Sequence, residues 1–237
     1  MYKTETDNRM RICVIPARGG SKRIPRKNIK EFFGKPIISY SIEAAIKSNC
    51  FEEVIVSTDD EEIAEISIKY GAHVPFIRPQ NLSDDLSSTL SVVKHAIEQI
   101  DINNNIENVC CLYATAPFID VKTITQSYEK FISSKASYCL GVTIFSFPIQ
   151  RALKISSKNR IEMVNKDNSN KISQHFEKTY HDAGQFCWGK AAAFREELSI
   201  YSGSTLPYVL KSNLVKDIDT IEDWLHAEAM YKILKSN

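Results

Sequence analysis

The sequence predicts an α/β fold built on a mainly parallel sheet with helices on both faces. Short apolar runs typical of buried strands alternate along the chain with amphipathic segments of helical periodicity. Strands that lack a polar face are typical of parallel sheets, because the connecting helices cover both sides. With 237 residues, of which 43% are hydrophobic, the chain is long enough to bury one large core or two small ones.

The predicted elements follow one another in a regular order as far as residue 145. Strands are predicted at 12–15, 53–57, 73–77, 108–113, 137–145 and 182–189. Helices are predicted at 37–49, 59–71, 91–100, 120–132, 190–197 and 220–234, with Asp85, Ser87 and Asp120 as natural caps. Hairpin-like pieces at 152–155 and 160–164 lie in a polar stretch from 147 to 181, which is long for a structureless loop.

Composition and charge argue against several classes of protein. The net charge is +1, whereas a dedicated nucleic-acid-binding domain is usually clearly basic. No run approaches the length of a transmembrane span, and the N-terminus lacks the apolar core of a signal peptide. The six cysteines show no C-x-x-C spacing, so we expect buried reduced thiols rather than disulfides or a zinc site. These features predict a cytoplasmic protein.

A basic loop follows the first predicted strand. From Arg18 to Lys30 the chain contains six cations and no acid, together with Gly19 and Gly20. Glycines let a backbone approach a ligand closely and offer it N–H groups, and fixed cations bind phosphate strongly. The loop has neither the P-loop pattern nor the dinucleotide-binding G-x-G-x-x-G pattern. We therefore expect a polyphosphate site of another kind; the alternative is a solvated basic loop.

Two further segments predict a site at the same edge of the sheet. Ser57 to Asp59 follow the second predicted strand, and residues 113–117 follow the fourth. In open parallel sheets, ligands bind beyond the carboxyl ends of the strands. The basic loop and these two segments should therefore meet. Asp59 is equally a natural N-cap of the helix that follows it, and both roles stay open.

Two carboxylates near the C-terminus predict a metal site. Asp217 and Asp219 stand two residues apart, so an extended backbone directs both to one face. Neighbouring carboxylates repel each other unless a cation lies between them, and hard oxygen ligands suit Mg²⁺. The alternative role of Asp219 is to cap the final helix, which is compatible with metal binding.

The basic loop also resembles a known family. Residues 16–22, Pro-Ala-Arg-Gly-Gly-Ser-Lys, and 25–28, Pro-Arg-Lys-Asn, closely resemble the signature of the bacterial CMP-sialic acid synthetases. These nucleotidyltransferases join CTP to an acidic nine-carbon sugar. The resemblance covers nearly all of the chain from Met10 and includes Arg78-Pro79 and Asp217-Ile218-Asp219. It implies a Rossmann-like nucleotidyltransferase fold.

The resemblance also implies a domain organisation and a homodimer. Residues 10–237 would form a single nucleotidyltransferase domain, and residues 147–181 an inserted dimerisation element that contributes to the partner's sugar pocket. The composition of residues 1–9, polar and charged without periodicity, predicts a flexible lead-in, and Met10 could be the functional start.

Site residues carry over from the family motif position by position. Lys22, Asp217 and Asp219 would be catalytic, and the two aspartates would hold Mg²⁺. Tyr113, Thr115, Gln185 and Phe186 would contact the sugar. The CTP contacts implied by the resemblance are Ala17, Arg18, Gly19, Gly20, Ser21, Lys22, Lys27, Asn28, Asp59, Arg78 and Thr89.

The implied reaction joins CTP to a nonulosonic acid and releases pyrophosphate. Where sialic acid enzymes commonly carry Gln-Pro-x-Ser/Thr-Pro-Leu-Arg, residues 113–119 are Tyr-Ala-Thr-Ala-Pro-Phe-Ile, which favours a less hydroxylated sugar. This segment and residues 182–186 resemble the pseudaminic acid branch of the family. The alternatives are N-acetylneuraminic acid, legionaminic acid or the shorter sugar KDO as substrate, or a non-catalytic module that binds sugar nucleotides or RNA.

Overall fold

A six-stranded mixed sheet forms the centre of the protein in a computed structural model, which describes residues 9–168, 172, 174 and 176–236. Residues 1–8 of the predicted lead-in lie outside the described residues. The sheet has the order β10–β6–β9–β5–β1–β4. Its strands are β1 (Met10–Pro16), β4 (Glu53–Ser57), β5 (Ile106–Leu112), β6 (Tyr138–Ile144), β9 (Tyr180–Lys190) and β10 (Thr205–Val209). Two hairpins, β2 (Glu31–Phe32) with β3 (Lys35–Pro36) and β7 (Leu153–Ile155) with β8 (Ile161–Met163), lie outside it.

Six α-helices are seen in the described part of the chain. They are α1 (Ile38–Ser48), α2 (Glu61–Lys69), α3 (Thr89–Ile100), α4 (Val121–Ile132), α5 (Ala191–Arg195) and α6 (Ile221–Ser236). The side chains of Asp60, Ser88 and Asp120 accept a hydrogen bond from the backbone N–H three residues ahead and so fix the starts of α2, α3 and α4. Among these three, the sequence correctly predicts the cap at Asp120.

The pairing of the strands confirms the predicted fold class. Strand β1 lies parallel to both β4 and β5, and β10 lies parallel to β6. Strand β9 is antiparallel and joins the two parallel groups, since it pairs with β5 on one side and β6 on the other. Helices α1, α2 and α4 cover one face, and α3 and α5 cover the other. The result is a Rossmann-like sheet with one reversed strand.

Two details of the predicted strand pattern are wrong. Residues 73–77 form only isolated bridges, between His73 and Ile55 and between Ile77 and Thr58, rather than a strand. Strand β10 lies at the edge of the sheet and was not anticipated. Its Pro207 and its alternation of half-buried and exposed residues give it no continuous apolar run.

A third hydrophobic cluster anchors the basic loop to the C-terminal helix. This loop-anchoring cluster consists of Ile24, Phe32, Ile37, Phe118, Ile218, Trp224 and Ala227. Ile24 belongs to the basic loop, and Ile218 stands between the two paired aspartates. Both side chains are at most 1% exposed. Burying them together brings the loop and the aspartates, far apart in sequence, to one place.

The segment between β6 and β9 contains a protruding hairpin. Strands β7 and β8 pair antiparallel, with Leu153 opposite Met163, as the hairpin-like pieces in the sequence indicated. The hairpin exposes large apolar side chains: Leu153, Ile155 and Ile161 are 59%, 75% and 72% exposed. Residues 169–171, 173 and 175 of the predicted dimerisation element lie outside the described residues.

All six cysteines are free and buried, as the sequence predicts. Burial raises the pKa of Cys110, Cys111, Cys139 and Cys187, so these thiols stay protonated and unreactive. In the part of the chain that the structure describes, no helix has the length and apolar character needed to span a membrane.

Candidate functional site

A cleft of about 270 Å³ opens at the carboxyl ends of β1 and β5. Its walls come from the basic loop, the residues after β5, the segment before α3 and the segment before α6. The cleft thus lies at the edge of the sheet where the sequence predicts it. Ten of the predicted site residues line it, namely Arg18, Ser21, Lys22, Lys27, Asn28, Arg78, Thr89, Tyr113, Thr115 and Asp219.

Three hydrogen bonds shape the basic loop and hold its start against the sheet. The buried Ala17 donates its N–H to the carbonyl of Ser57 at 2.9 Å, so the loop leaves β1 alongside the end of β4. The buried side chain of Asn28 donates to the carbonyl of Arg18 at 3.0 Å and closes the loop across ten residues. Ser21 donates its N–H to the carbonyl of Gly19 at 2.9 Å.

Gly19 is needed because the loop runs against the start of α2. A Cβ atom at this position would lie 2.5 Å from Oδ2 of Asp60, closer than side chains approach each other. The same Asp60 caps α2 and binds the guanidinium of Arg26 through both carboxylate oxygens. At Gly20, in contrast, a Cβ would meet nothing within 4 Å.

Asp59 orients the loop and does not cap α2. Its Oδ1 accepts the N–H of Gly19 at 2.9 Å, whereas Asp60 accepts the N–H of Ile63 at the helix start. The cap alternative for Asp59 is therefore wrong. Asp59 does not itself line the cleft, and its contact with a nucleotide stays a prediction.

Arg78 lies under the cleft as a buried cation. It is 4% exposed, with Asp59 Oδ1 at 3.8 Å and the hydroxyl of Ser83 at 3.2 Å. Burial lowers the pKa of the Arg78 guanidinium, the charge of Asp59 opposes this, and the charge of Arg18 adds to it. Because the carboxylate of Asp59 lies as far as 3.8 Å away, N–H groups of the Arg78 guanidinium remain available to an anion in the cleft.

The carboxylate of Asp85 bridges two cations of the basic loop. Its Oδ1 lies 2.6 Å from Nη2 of Arg18, and its Oδ2 accepts from Nζ of Lys22 at 2.6 Å. Lys22 and then Arg18 hold the pKa of Asp85 below its usual range. The capping role predicted for Asp85 and Ser87 is wrong, because Ser88 caps α3.

The carboxylate of Asp219 contacts two further cations of the basic loop. Its Oδ1 lies 3.2 Å from Nζ of Lys27 and 2.9 Å from Nη2 of Arg23, and Lys27 also donates to the carbonyl of Ile218 at 2.6 Å. The cap predicted for Asp219 is wrong. Thr220 and Asp223 cap the start of α6 instead, each accepting the other's backbone N–H.

Asp217 lies beside Asp219 without a cation of its own among the described ion pairs. It is solvent-exposed on one side. Desolvation by the surrounding protein, followed by the charge of Asp219, raises the pKa of Asp217, and Lys27 partly opposes this. Across the described residues, no group of three or more metal-binding side chains comes together. A metal bound here would take its other ligands from substrate or water.

The residues after β5 contribute a phenol and a threonine to the cleft, next to Thr89 at the start of α3. Burial raises the pKa of the Tyr113 phenol, and a hydrogen bond with the side chain of Thr89 acts in the opposite direction. Thr115 is buried at the same wall. A neutral Tyr113 and these hydroxyls can both donate and accept hydrogen bonds, as a sugar requires.

Gln185 and Phe186 lie behind this wall rather than in the cleft. The carbonyl of Gln185 accepts the N–H of Tyr113 at 2.9 Å, and its side-chain amide is buried without a hydrogen-bond partner among the described residues. Phe186 is 1% exposed and packs near Gly141 and Tyr208 in the core. Neither side chain lines the cleft, so their predicted contact with a sugar finds no support in this arrangement.

The sequence interpretation missed several residues of the cleft. Arg23, Asp84 and Asp85 line it, although the motif assigned no site role to them. Its position in the basic loop, directly after Lys22, was a signal from which a site role for Arg23 could have been predicted. No local signal distinguishes Asp85 from a helix cap, because its partners are 63 or more residues away in the chain.

The chain is similar to several proteins of known activity or structure. The pseudaminic acid cytidylyltransferase of Campylobacter jejuni is 49% identical over 223 residues, covering 94% of this chain and 96% of that protein. The CMP-N,N'-diacetyllegionaminic acid synthase of Legionella pneumophila is 33% identical over 226 residues, covering 94% and 96%. A solved CMP:2-keto-3-deoxy-manno-octonic acid synthetase complexed with CTP shares the fold, with a TM-score of 0.69 at 15% identity over 94% of this chain and 98% of that one.

The remaining comparison bears on the family as a whole. A family model described as cytidylyltransferase matches residues 12–227, from the middle of β1 into α6. The match includes the basic loop, the buried Arg78 and both aspartates before α6. A chain that matches this model from the first strand to the last helix, with a cation-lined cleft at the expected edge of its sheet, belongs to the cytidylyltransferase family.

Proposed function

We propose that the protein activates pseudaminic acid with CTP, giving CMP-pseudaminic acid and pyrophosphate for glycosylation of flagellin or surface glycans. The observation that supports this most is the cleft at the carboxyl edge of the sheet. Its lining brings the loop cations Arg18, Lys22 and Lys27 together with the buried Arg78 and with Tyr113. Relatives named as pseudaminic acid cytidylyltransferases support the choice of sugar.

The proposed reaction needs no covalent intermediate with the protein. The oxygen of the anomeric hydroxyl forms a bond to the α-phosphorus of CTP as the bond to pyrophosphate breaks in line, and the hydroxyl proton passes to solvent. Arg18, Lys22 and Lys27 would hold the triphosphate and offset the charge that grows on the leaving pyrophosphate. Asn28 would lie near the ribose or base. The rate enhancement then comes from positioning and from fixed positive charge.

Asp217 and Asp219 fit a Mg²⁺ site in part. Two neighbouring carboxylates, one with a raised pKa, form a place where a divalent cation would relieve repulsion. Lys27 and Arg23 now neutralise Asp219, so they would share this carboxylate with the ion. When bound, Mg²⁺ would neutralise phosphate charge and help to orient CTP.

We also propose a cytoplasmic homodimer in which the segment 147–181 forms the interface. The exposed apolar side chains of the β7–β8 hairpin support this, since contiguous exposed apolar surface is typical of interaction sites. The segment would bring partner residues to the sugar end of the cleft.

A panel of acidic sugars tests the proposed function. The wild-type protein is given CTP, Mg²⁺ and, in turn, pseudaminic acid, N-acetylneuraminic acid, N,N'-diacetyllegionaminic acid and KDO, and CMP-sugar and pyrophosphate are quantified. We expect kcat/KM for pseudaminic acid to exceed the others by about tenfold or more.

Each other outcome has a defined meaning. Equal or better use of N-acetylneuraminic acid would overturn the sugar assignment and leave cytidylyl transfer standing. Failure to release pyrophosphate with any sugar, with or without metal, would favour the non-catalytic binding module.

A further inference from the structure

Two cations of the basic loop are held by one carboxylate. Asp85 contacts Arg18 through one oxygen and Lys22 through the other, both at 2.6 Å. A phosphate group would use the same two cations in the same way, with two of its oxygens. Asp85 therefore stands where phosphate oxygens would bind.

The turn that bears Asp85 is tied down by its neighbours. Oδ1 of Asp84 accepts the N–H groups of Leu86 and Ser87 at 3.0 and 2.8 Å, and the Ser87 hydroxyl at 2.7 Å. At the other end of the turn, Arg78 donates to the hydroxyl of Ser83 at 3.2 Å. Asp84 thus organises the turn and leaves the carboxylate of Asp85 to the loop cations.

These ion pairs are of the kind that a polyanion can displace. Asp85 and Lys22 are 47% and 81% exposed at their side chains, and ion pairs in water are individually weak. Asp85 supplies a single negative charge, whereas a nucleoside triphosphate brings several and can also reach Arg78. A tethered carboxylate nevertheless competes at high effective concentration.

We infer that Asp85 is displaced from Arg18 and Lys22 by the phosphates of the nucleotide and returns as pyrophosphate leaves. This rests on the proposed function, since it takes the loop cations as the phosphate site. In this role Asp85 weakens the retention of polyphosphates and favours release of the product. It acts on binding and touches neither the sugar nor the α-phosphorus.

The test measures binding of inorganic pyrophosphate and of CTP by titration calorimetry, with wild-type protein and Asp85→Asn. The substitution removes the competing charge, so we expect both dissociation constants to fall by about three- to tenfold. Inhibition of turnover by added pyrophosphate should strengthen by a similar factor.

Glu222→Gln is the matched control. It removes one negative charge from an exposed position in the first turn of α6, close in sequence to Asp219 but outside the lining of the cleft, so we expect less than about a twofold change in either constant. A general loss of negative charge near the cleft would instead make the two variants alike. Thermal unfolding of both variants checks that the fold is retained.

Two results would overturn the inference. One is Asp85→Asn binding pyrophosphate no more tightly than wild type or Glu222→Gln; the other is wild-type protein that does not bind pyrophosphate at all. The proposed function fails separately, since it depends on formation of CMP-sugar. Tight polyphosphate binding with no sugar turnover would sink that function and leave the role of Asp85 intact.

Discussion

At the scale of single residues, the cleft is a set of cations each matched to a carboxylate. Asp85 binds Arg18 and Lys22, and Asp219 binds Arg23 and Lys27. Each carboxylate contacts two cations and offsets the repulsion between them.

Lys22→Ala should lower kcat/KM for CTP by about 10²-fold. A cation that meets charge growing on the phosphates typically contributes about 3 kcal/mol to the transition state. Steady-state rates on folded protein are the measurement, and Lys69→Ala, an exposed lysine on α2, is the control. A rate within threefold of wild type for Lys22→Ala would remove Lys22 from the catalytic residues.

Asp217→Asn and Asp219→Asn should each raise the Mg²⁺ concentration needed for half-maximal rate. Each change removes one charged oxygen ligand from a hard-cation site. Titration of Mg²⁺ against rate for the two variants and wild type gives the answer. An unchanged Mg²⁺ requirement in both variants would exclude a metal role for the two aspartates. Because Thr220 and Asp223 cap α6, a lost helix cap would not account for a raised requirement.

At the scale of elements, α5 can pack closely on the sheet because β9 carries a glycine. A Cβ at Gly189 would lie 2.5 Å from Cδ1 of Tyr138 and 2.7 Å from Cε2 of Phe194, two buried rings in edge-to-face contact. The hydroxyl of Tyr138 also donates to the carbonyl of Ala193 at 2.9 Å. The strand and helix thus meet without space for one more carbon atom.

Gly189→Ala should reduce the free energy of unfolding by about 1–3 kcal/mol, because overpacking forces these rings to move. Urea denaturation measures the change. Gly203→Ala is the matched control, since a Cβ there meets nothing within 4 Å. Equal stability of the two variants would mean that the packing of α5 on β9 is looser than the structure indicates.

At the scale of the whole molecule, the apolar surface of the β7–β8 hairpin lies outside the cores that hold the sheet and helices together. Ile155 and Ile161 face each other across the hairpin and are both more than two-thirds exposed. A surface of this kind is stabilised when a partner covers it.

The double substitution Ile155→Lys/Ile161→Lys should convert the proposed dimer to a monomer. Four buried charges, two from each subunit, would oppose association. Sedimentation equilibrium measures the mass, and Ile102→Lys, at an 87% exposed position on a remote turn, is the control. Wild-type protein that sediments as a monomer, or a double variant that stays dimeric, would exclude this interface.

Local patterns in the sequence were enough to determine the fold class and the place of the site. The apolar run of β1, the glycines and cations that follow it and the periodicity of α1 to α4 are all readable within a few residues. The carboxyl ends of such strands then lie at one edge of the sheet, which locates the cleft.

Only the tertiary structure decided which aspartate does what. Asp59 and Asp60 are adjacent and are equally good helix caps by residue type. In the structure Asp60 caps α2, whereas Asp59 accepts the N–H of Gly19. Lys27 and Asp219 lie 192 residues apart in sequence and meet because Ile24 and Ile218 are buried in one cluster. Propensity acts over a few residues, whereas these pairings depend on which distant apolar side chains share a core, so the sequence alone leaves them open.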